Sequence, residues 1–137
     1  MDRLFLDANV LFSAACRADA GLLRLWKLRN VSLCSSRYAL EEARINLADE
    51  DQRMRLAKLS RTIQFFEAAQ QELSRGISLP EKDVPILLAA VEARATHLLT
   101  GDIRHFGAYL GKKVAGIVVV LPGEYLRRRV RREQSGL

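Results

Sequence analysis

The sequence predicts an α/β fold with a mostly parallel central sheet, and two observations lead to this prediction. Short apolar, β-prone runs alternate along the chain with longer segments in which apolar residues recur at helical spacing. Two of these runs lead into Asp7 and into Gly101-Asp102, as expected of buried parallel strands that end in loops. The 137 residues suffice for one such domain and are too few for two.

The predicted elements follow from these patterns. Compact apolar runs predict strands over residues 3–6, 31–34, 97–100 and 117–121. Helical spacing predicts helices over residues 10–16, 20–28, 37–47, 52–74 and 83–95, and a last short helix that carries Tyr125 and the arginines after it. The helix over 52–74 is the longest, and its apolar stripe is expected to pack in the core: Met54, Leu56, Leu59, Ile63, Phe66 and Leu73.

Composition excludes several classes of protein. A chain that is 49% hydrophobic and 28% charged is expected to fold. No apolar run approaches the roughly 20 residues that span a bilayer, and two cysteines are too few for a disulfide scaffold. Asp7 and Asn9 interrupt the first apolar stretch, so we expect no export signal and a cytoplasmic protein without membrane contact.

The net charge is +6, and most of the excess lies at the C-terminus. Beyond residue 126 the chain carries one acid and five arginines: Arg127, Arg128, Arg129, Arg131 and Arg132. A solvated chain end and a phosphate-binding arm are both open interpretations of this segment, since arginine pairs well with phosphate. The charge makes a polyanionic partner plausible without naming it.

Four acids are candidates to meet at one edge of the sheet. Asp7 and Asp102 follow strands, while Asp83 and Glu42 lie beside the apolar stripes of their helices. Crowded carboxylates repel one another, and a hard divalent cation such as Mg²⁺ or Mn²⁺ would relieve that repulsion. Each acid also has an ordinary explanation, as a helix N-cap, a turn residue or a solvated helix residue.

The chain resembles the PIN-domain family of metal-dependent ribonucleases, in particular the toxin-like members of bacterial toxin–antitoxin pairs. The resemblance spans roughly residues 3–126. Its segments are Leu6-Asp7-Ala8-Asn9-Val10-Leu11, the helix around Glu42, Asp83-Val84-Pro85-Ile86-Leu87-Leu88-Ala89-Ala90 and Leu99-Thr100-Gly101-Asp102. It implies a three-layer α/β/α sandwich, which we expect to cover residues 1–126. The family pattern does not account for the Arg-rich end, and we expect residues 127–137 to form a basic tail.

The resemblance also implies a function and a site. It implies hydrolysis of RNA in an acidic cleft that binds Mg²⁺ or Mn²⁺, often by a homodimer, and a cognate antitoxin as a possible partner. The residues matched to the catalytic and metal-binding quartet are Asp7, Glu42, Asp83 and Asp102, with Glu41 left as an alternative to Glu42. Asn9 and Thr100 match positions that orient carboxylates or waters.

One departure from the family pattern follows the last aspartate. Some relatives carry a further acid there, whereas this chain has Ile103-Arg104-His105. Arg104, like the terminal arginines, is a candidate nucleic-acid contact or a plain surface residue. The helix over 52–74 is a plausible place for a homodimer contact.

Other functions are weighed against this one. His97 and His105 lack a third ligand at useful spacing, so a zinc site is not expected. The sequence has no serine-hydrolase elbow and no phosphate-binding loop, and Asn9 replaces the second aspartate of a haloacid-dehalogenase-type phosphatase. A PIN-like RNA- or protein-binding module with little catalysis, and an RNA-processing nuclease without an antitoxin, remain alternatives.

Overall fold

The computed structural model describes residues 1–68, 73 and 76–134, and it confirms the α/β class. Its strands are β1 (Asp2–Leu6), β2 (Val31–Ser35), β3 (Ile63–Phe65), β4 (His97–Leu99), β5 (Lys113–Val114) and β6 (Ile117–Val120). Over the described residues they form one sheet in the order β3-β2-β1-β4-β6-β5. All neighbouring strands are parallel except β5, which is antiparallel to β6.

Helices complete a three-layer α/β/α sandwich around this sheet. The α-helices are α1 (Ala8–Ala15), α2 (Arg37–Asn46), α3 (Glu50–Ser60), α4 (Val84–Glu92), α5 (Ile103–Phe106) and α6 (Pro122–Gln134). Short 3₁₀ helices cover Gly21–Lys27, Glu81–Asp83 and Gly107–Tyr109. Among the described residues, no helix combines the length and apolar character that crossing a membrane requires.

The core forms around β1, the central strand of the sheet. Leu4, Phe5 and Leu6 are all fully buried, as expected of a strand whose two faces are both covered. Helix α4 contributes a continuous buried run from Ile86 to Ala90. Cys34 is also fully buried, and this burial raises the pKa of its thiol to about 12.

The predicted helix over 52–74 is wrong at residues 61–68 and 73. Helix α3 ends at Ser60, and the chain turns into β3, where Ile63 is buried and Gln64 is exposed. This alternation is the two-residue period of a strand. The sequence did not reveal it, because the apolar residues here also fitted helical spacing. Met54, expected in the core, is 62% exposed. Residues 69–72 and 74 of that prediction lie outside the described residues.

Two further predictions differ in detail. The segment predicted as a helix over 20–28 is the 3₁₀ helix Gly21–Lys27, which docks on α3 through a hydrogen bond from Trp26 Nε1 to the Leu59 carbonyl (3.1 Å). The terminal arginines lie on the last helix, as predicted, but this helix, α6, is 13 residues long and not short. They therefore belong to a packed helix, at least as far as residue 134.

Candidate functional site: an acidic cleft

An acidic cleft of about 450 Å³ lies at the carboxyl edge of the sheet. The strand order reverses at β1, with β2 on one side and β4 on the other. Loops leave in opposite directions at such a switch point and open a crevice between them. All four acids named from the sequence line this cleft: Asp7, Glu42, Asp83 and Asp102.

Asp7 directly follows β1 and caps α1. Its Oδ1 accepts a hydrogen bond from the Ala8 backbone nitrogen (2.7 Å). Its Oδ2 accepts from Thr100 Oγ1 (2.7 Å) and from Asn9 Nδ2 (3.1 Å). Burial raises the pKa of Asp7 and the neighbouring acids add to this, while the bonds from Thr100 and Ala8 lower it. Capping uses one oxygen, and the other is fixed toward the loop after β4.

The loop after β4 is tied to α1 through Asn9. Asn9 Oδ1 accepts a hydrogen bond from the Gly101 nitrogen (2.7 Å), and Thr100 Oγ1 accepts one from the Asp102 nitrogen (3.1 Å). A Cβ at Gly101 would lie 3.2 Å from Asn9 Oδ1, which is tighter than an ordinary contact. Glycine therefore lets the two loops approach closely enough for Asn9 and Thr100 to bond with Asp7.

Asp83 carries a buried carboxylate oxygen that accepts no hydrogen bond. It occupies the N-cap position of α4 but makes no side-chain capping hydrogen bond. Its side chain is 8% exposed, and its Oδ2 is buried without a hydrogen-bond partner. Burial raises the pKa of Asp83, against the lowering effect of His105 and Lys82. Capping therefore does not explain this residue, because a capping carboxylate accepts a bond from the first helical turn.

His105 lies between the carboxylates of Asp83 and Asp102. Asp102 begins α5, and its Oδ1 accepts a hydrogen bond from the His105 backbone nitrogen (3.1 Å). His105 Nδ1 is 2.7 Å from Asp102 Oδ2 and 3.0 Å from Asp83 Oδ2. Within the described part of the chain, these three residues form a group whose potential metal-ligand atoms all lie within 4.8 Å of one another. Asp7 and Glu42 line the same cleft outside that group.

The sequence did not identify His105 as a site residue. From the sequence, His105 comes into question only together with His97, and no zinc site is expected. His97 packs edge-on against Tyr125, with ring centroids 5.1 Å apart. The fold supplies the partners of His105 from α4 and from the loop after β4. A local signal existed, because His105 follows Asp102 by three residues and so returns to the same side of a first helical turn.

Glu42, and not its neighbour Glu41, faces the cleft. Glu41 is exposed and pairs with Arg44, whose Nε lies 2.9 Å from Glu41 Oε2, and this hydrogen bond lowers the pKa of Glu41. Glu42 is half-buried, and its backbone carbonyl accepts a hydrogen bond from Asn46 Nδ2 (2.8 Å). The packing of α2 thus distinguishes two adjacent acids that the sequence left as alternatives.

Three other side chains line the cleft without a clear signal in the sequence: Phe12, Asn46 and Lys82. Lys82 brings a positive charge to the mouth of an acidic site. Its backbone carbonyl accepts a hydrogen bond from Tyr38 Oη (2.9 Å), which ties the 3₁₀ turn before α4 to α2. Burial raises the pKa of Tyr38, and the nearby carboxylates of the cleft raise it further.

Helix α6 carries Arg129 to the opposite edge of the sheet from the acids. Tyr125 Oη of α6 donates to Asp2 at the start of β1, and Arg129 Nη2 donates to the Arg29 carbonyl (2.7 Å), two residues before β2. The five residues of β1 separate this edge from Asp7, which is about 16 Å at roughly 3.3 Å per residue. The structure therefore does not bring the α6 arginines into the cleft. Arg104 is exposed on α5.

The residues of the cleft fit a divalent cation. They offer hard carboxylate oxygens, and one of these oxygens, Asp83 Oδ2, is buried with no hydrogen bond to replace its lost hydration. A cation held by Asp83 and Asp102 would give this oxygen the partner that no hydrogen bond provides. Which metal would bind is not decided by oxygen ligands alone.

A sheet with converging carboxylates at its switch point defines a class of α/β domains suited to metal-assisted chemistry on phosphates. A family model described as PIN domain matches residues 3–104, and the chain therefore belongs to the PIN-domain family. PIN domains are in general nucleases, which places the chain among the hydrolases in broad terms. No curated protein sequence gave a significant match.

Proposed function

We propose that the chain is a metal-dependent endoribonuclease that hydrolyses RNA phosphodiester bonds in the acidic cleft. The observation that carries this proposal is Asp83, a buried carboxylate that neither caps its helix nor finds a hydrogen bond for Oδ2. Folding places it beside Asp102 and in the same cleft as Asp7 and Glu42, where like charges disfavour one another. Crowded carboxylates would bind a cation, and the cation would in turn bind a phosphate of the substrate.

The roles proposed for the residues follow from their contacts. Asp83 and Asp102 would hold the cation, and Asp7, fixed by Thr100 and Asn9, would complete its negative surroundings. When bound, Mg²⁺ or Mn²⁺ supplies Lewis acidity toward the phosphate and lowers the pKa of a water.

Two cleft residues outside this group would act on substrate and water. Glu42, half-buried on α2, would accept the proton of the attacking water. Lys82 would contact the phosphate from the rim of the cleft.

We also propose that the substrate is RNA and that the protein has a toxin-like role. The net charge of +6 and the arginines of α6 favour a polyanionic partner. The resemblance of the sequence to toxin-like PIN proteins supports a cytoplasmic homodimer with a cognate antitoxin. A small antitoxin-like reading frame beside the gene would distinguish this role from that of an RNA-processing nuclease.

Cleavage of fluorogenic RNA and DNA oligonucleotides tests the proposal. The wild type should cleave RNA in Mn²⁺ or Mg²⁺ and stop when EDTA is added. Asp83→Asn should lower the cleavage rate by at least about 100-fold, because it removes one charge from the centre of the site.

Glu92→Gln is the matched control. It removes one carboxylate from the same helix at an exposed position outside the cleft, and it should cleave at the wild-type rate. Cleavage that persists in EDTA, or an Asp83→Asn variant as active as Glu92→Gln, would overturn the proposal. RNA binding without any metal-dependent cleavage would favour a PIN-like binding module instead.

A further inference from the structure

The imidazole of His105 lies where a ligand of the cation would lie. Its Nδ1 is 2.7 Å from Asp102 Oδ2 and 3.0 Å from Asp83 Oδ2. Neighbouring ligands of an octahedral ion with bonds of about 2.1 Å are separated by about 3 Å. The two distances therefore match the spacing of atoms that share one coordination sphere.

A hydrogen-bonding role explains only one of these two contacts. Nδ1 carries at most one proton, and its 2.7 Å contact with Asp102 Oδ2 makes a hydrogen bond. Asp83 Oδ2, 3.0 Å from the same nitrogen, is left without a hydrogen bond in a position that is 8% exposed. A cation that contacts all three atoms would satisfy both carboxylates at once, with the ring proton on Nε2 and the Nδ1 lone pair on the metal.

The short helix α5 holds the imidazole in this place. Asp102 Oδ1 accepts a hydrogen bond from the backbone nitrogen of His105, and the adjacent Phe106 is 1% exposed and anchors the helix in the core. The carboxylate that would bind the metal thus also fixes the backbone of the residue beside it. Little rearrangement is needed for the ring to become a ligand.

We propose that His105 Nδ1 ligates the cation together with Asp83 and Asp102, so that the site prefers Mn²⁺ to Mg²⁺. This inference rests on the proposed metal-dependent function and deepens it. Imidazole suits transition metals, whereas Mg²⁺ favours oxygen ligands and keeps several waters. One nitrogen among carboxylates therefore gives Mn²⁺ an advantage that a site made of carboxylates alone would lack.

Pulsed EPR on Mn²⁺-loaded protein tests the ligand directly. The protein is prepared without a histidine tag and with either natural-abundance or ¹⁵N-labelled histidine, so that the sequence contributes only His97 and His105. We expect a nitrogen coupling in the wild type that changes with the isotope. The coupling should be lost in His105→Asn, which keeps a hydrogen-bond donor near Nδ1, and should persist in the control His97→Gln.

Calorimetric titration supplies a second readout without catalysis. His105→Asn should weaken Mn²⁺ binding by about 10-fold or more and Mg²⁺ binding much less, which narrows the preference between the two metals. Tight Mn²⁺ binding without a histidine coupling, or an unchanged metal preference in His105→Asn, would overturn the inference and leave the carboxylate site intact. A wild type that binds neither metal would overturn the inference together with the proposed function.

Discussion

At the scale of single residues, the acids that line the cleft could be named from the sequence, but the hydrogen bonds that each one makes or lacks could not. Asp7 and Asp102 could be predicted because strand ends are visible in the sequence, and Asp83 because it precedes an apolar helix face. That Asp83 fails to cap α4 depends on side-chain geometry, which no local pattern contains. His105 was missed because one of its two partners, Asp83, comes from a distant segment.

The raised pKa of Asp83 predicts how stability depends on pH in the absence of metal. Between the ordinary value of 3.8 and the raised value, the folded chain binds more protons than the unfolded chain, so stability falls as pH rises. Asp83→Asn removes this cost. The free energy of unfolding of Asp83→Asn, minus that of the wild type, should therefore increase as pH rises from the ordinary value of 3.8 through the raised pKa.

Urea unfolding in EDTA at several pH values measures this difference. Each unit by which the pKa is raised corresponds to about 1.4 kcal/mol at the upper end of the window. Glu92→Gln, at an exposed position, serves as the control and should give a difference that stays flat across the same range. A difference that shrinks as pH rises would show that the carboxylate of Asp83 is stabilised by folding.

At the scale of elements, strands with compact apolar runs were predicted well, and a strand whose apolar residues continue the pattern of a helix was not. β1, β2, β4 and β6 appear near their predicted positions because their apolar runs are compact. β3 was missed because it follows α3 after two residues, so that its apolar residues continued the helical spacing of α3. The last helix, predicted to carry Tyr125 and the arginines, is α6, which is longer than the short helix expected.

The position of α6 predicts a separable contribution to RNA affinity. Arg127 and Arg128 are exposed on α6, where they pair with Glu124, and neither lines the cleft. Arg127→Gln together with Arg128→Gln, in an Asp83→Asn background that does not cleave, should weaken RNA binding. The slope of log affinity against log salt should become shallower by about 0.7 for each phosphate that the variant no longer neutralises.

Fluorescence anisotropy over a salt series measures this slope. The matched control is Lys112→Gln with Lys113→Gln, which removes the same charge from exposed positions at β5. We expect the control to keep a steeper slope than the arginine variant. Equal slopes of log affinity against log salt in the two variants would show that α6 contributes only to the net charge and does not bind RNA.

At the scale of the whole molecule, the parallel sheet separates charge. Its carboxyl edge gathers four acids around one cleft, and its amino edge carries Arg129 of α6. The parallel topology explains why acids distant in sequence meet, and that part could be predicted once the strands were known. The distances among His105, Asp83 and Asp102 could not, since they depend on how α4 and α5 pack.

The central claim is that the cleft tolerates crowded carboxylates because a divalent cation binds there, and thermal unfolding with and without Mn²⁺ tests it most directly. At 100 times its dissociation constant, Mn²⁺ should stabilise the wild type by about 2.7 kcal/mol. Asp83→Asn should be more stable than the wild type in EDTA and should be stabilised little by Mn²⁺. An Asp83→Asn protein that is less stable than the wild type in EDTA, or that Mn²⁺ stabilises as much, would contradict the claim.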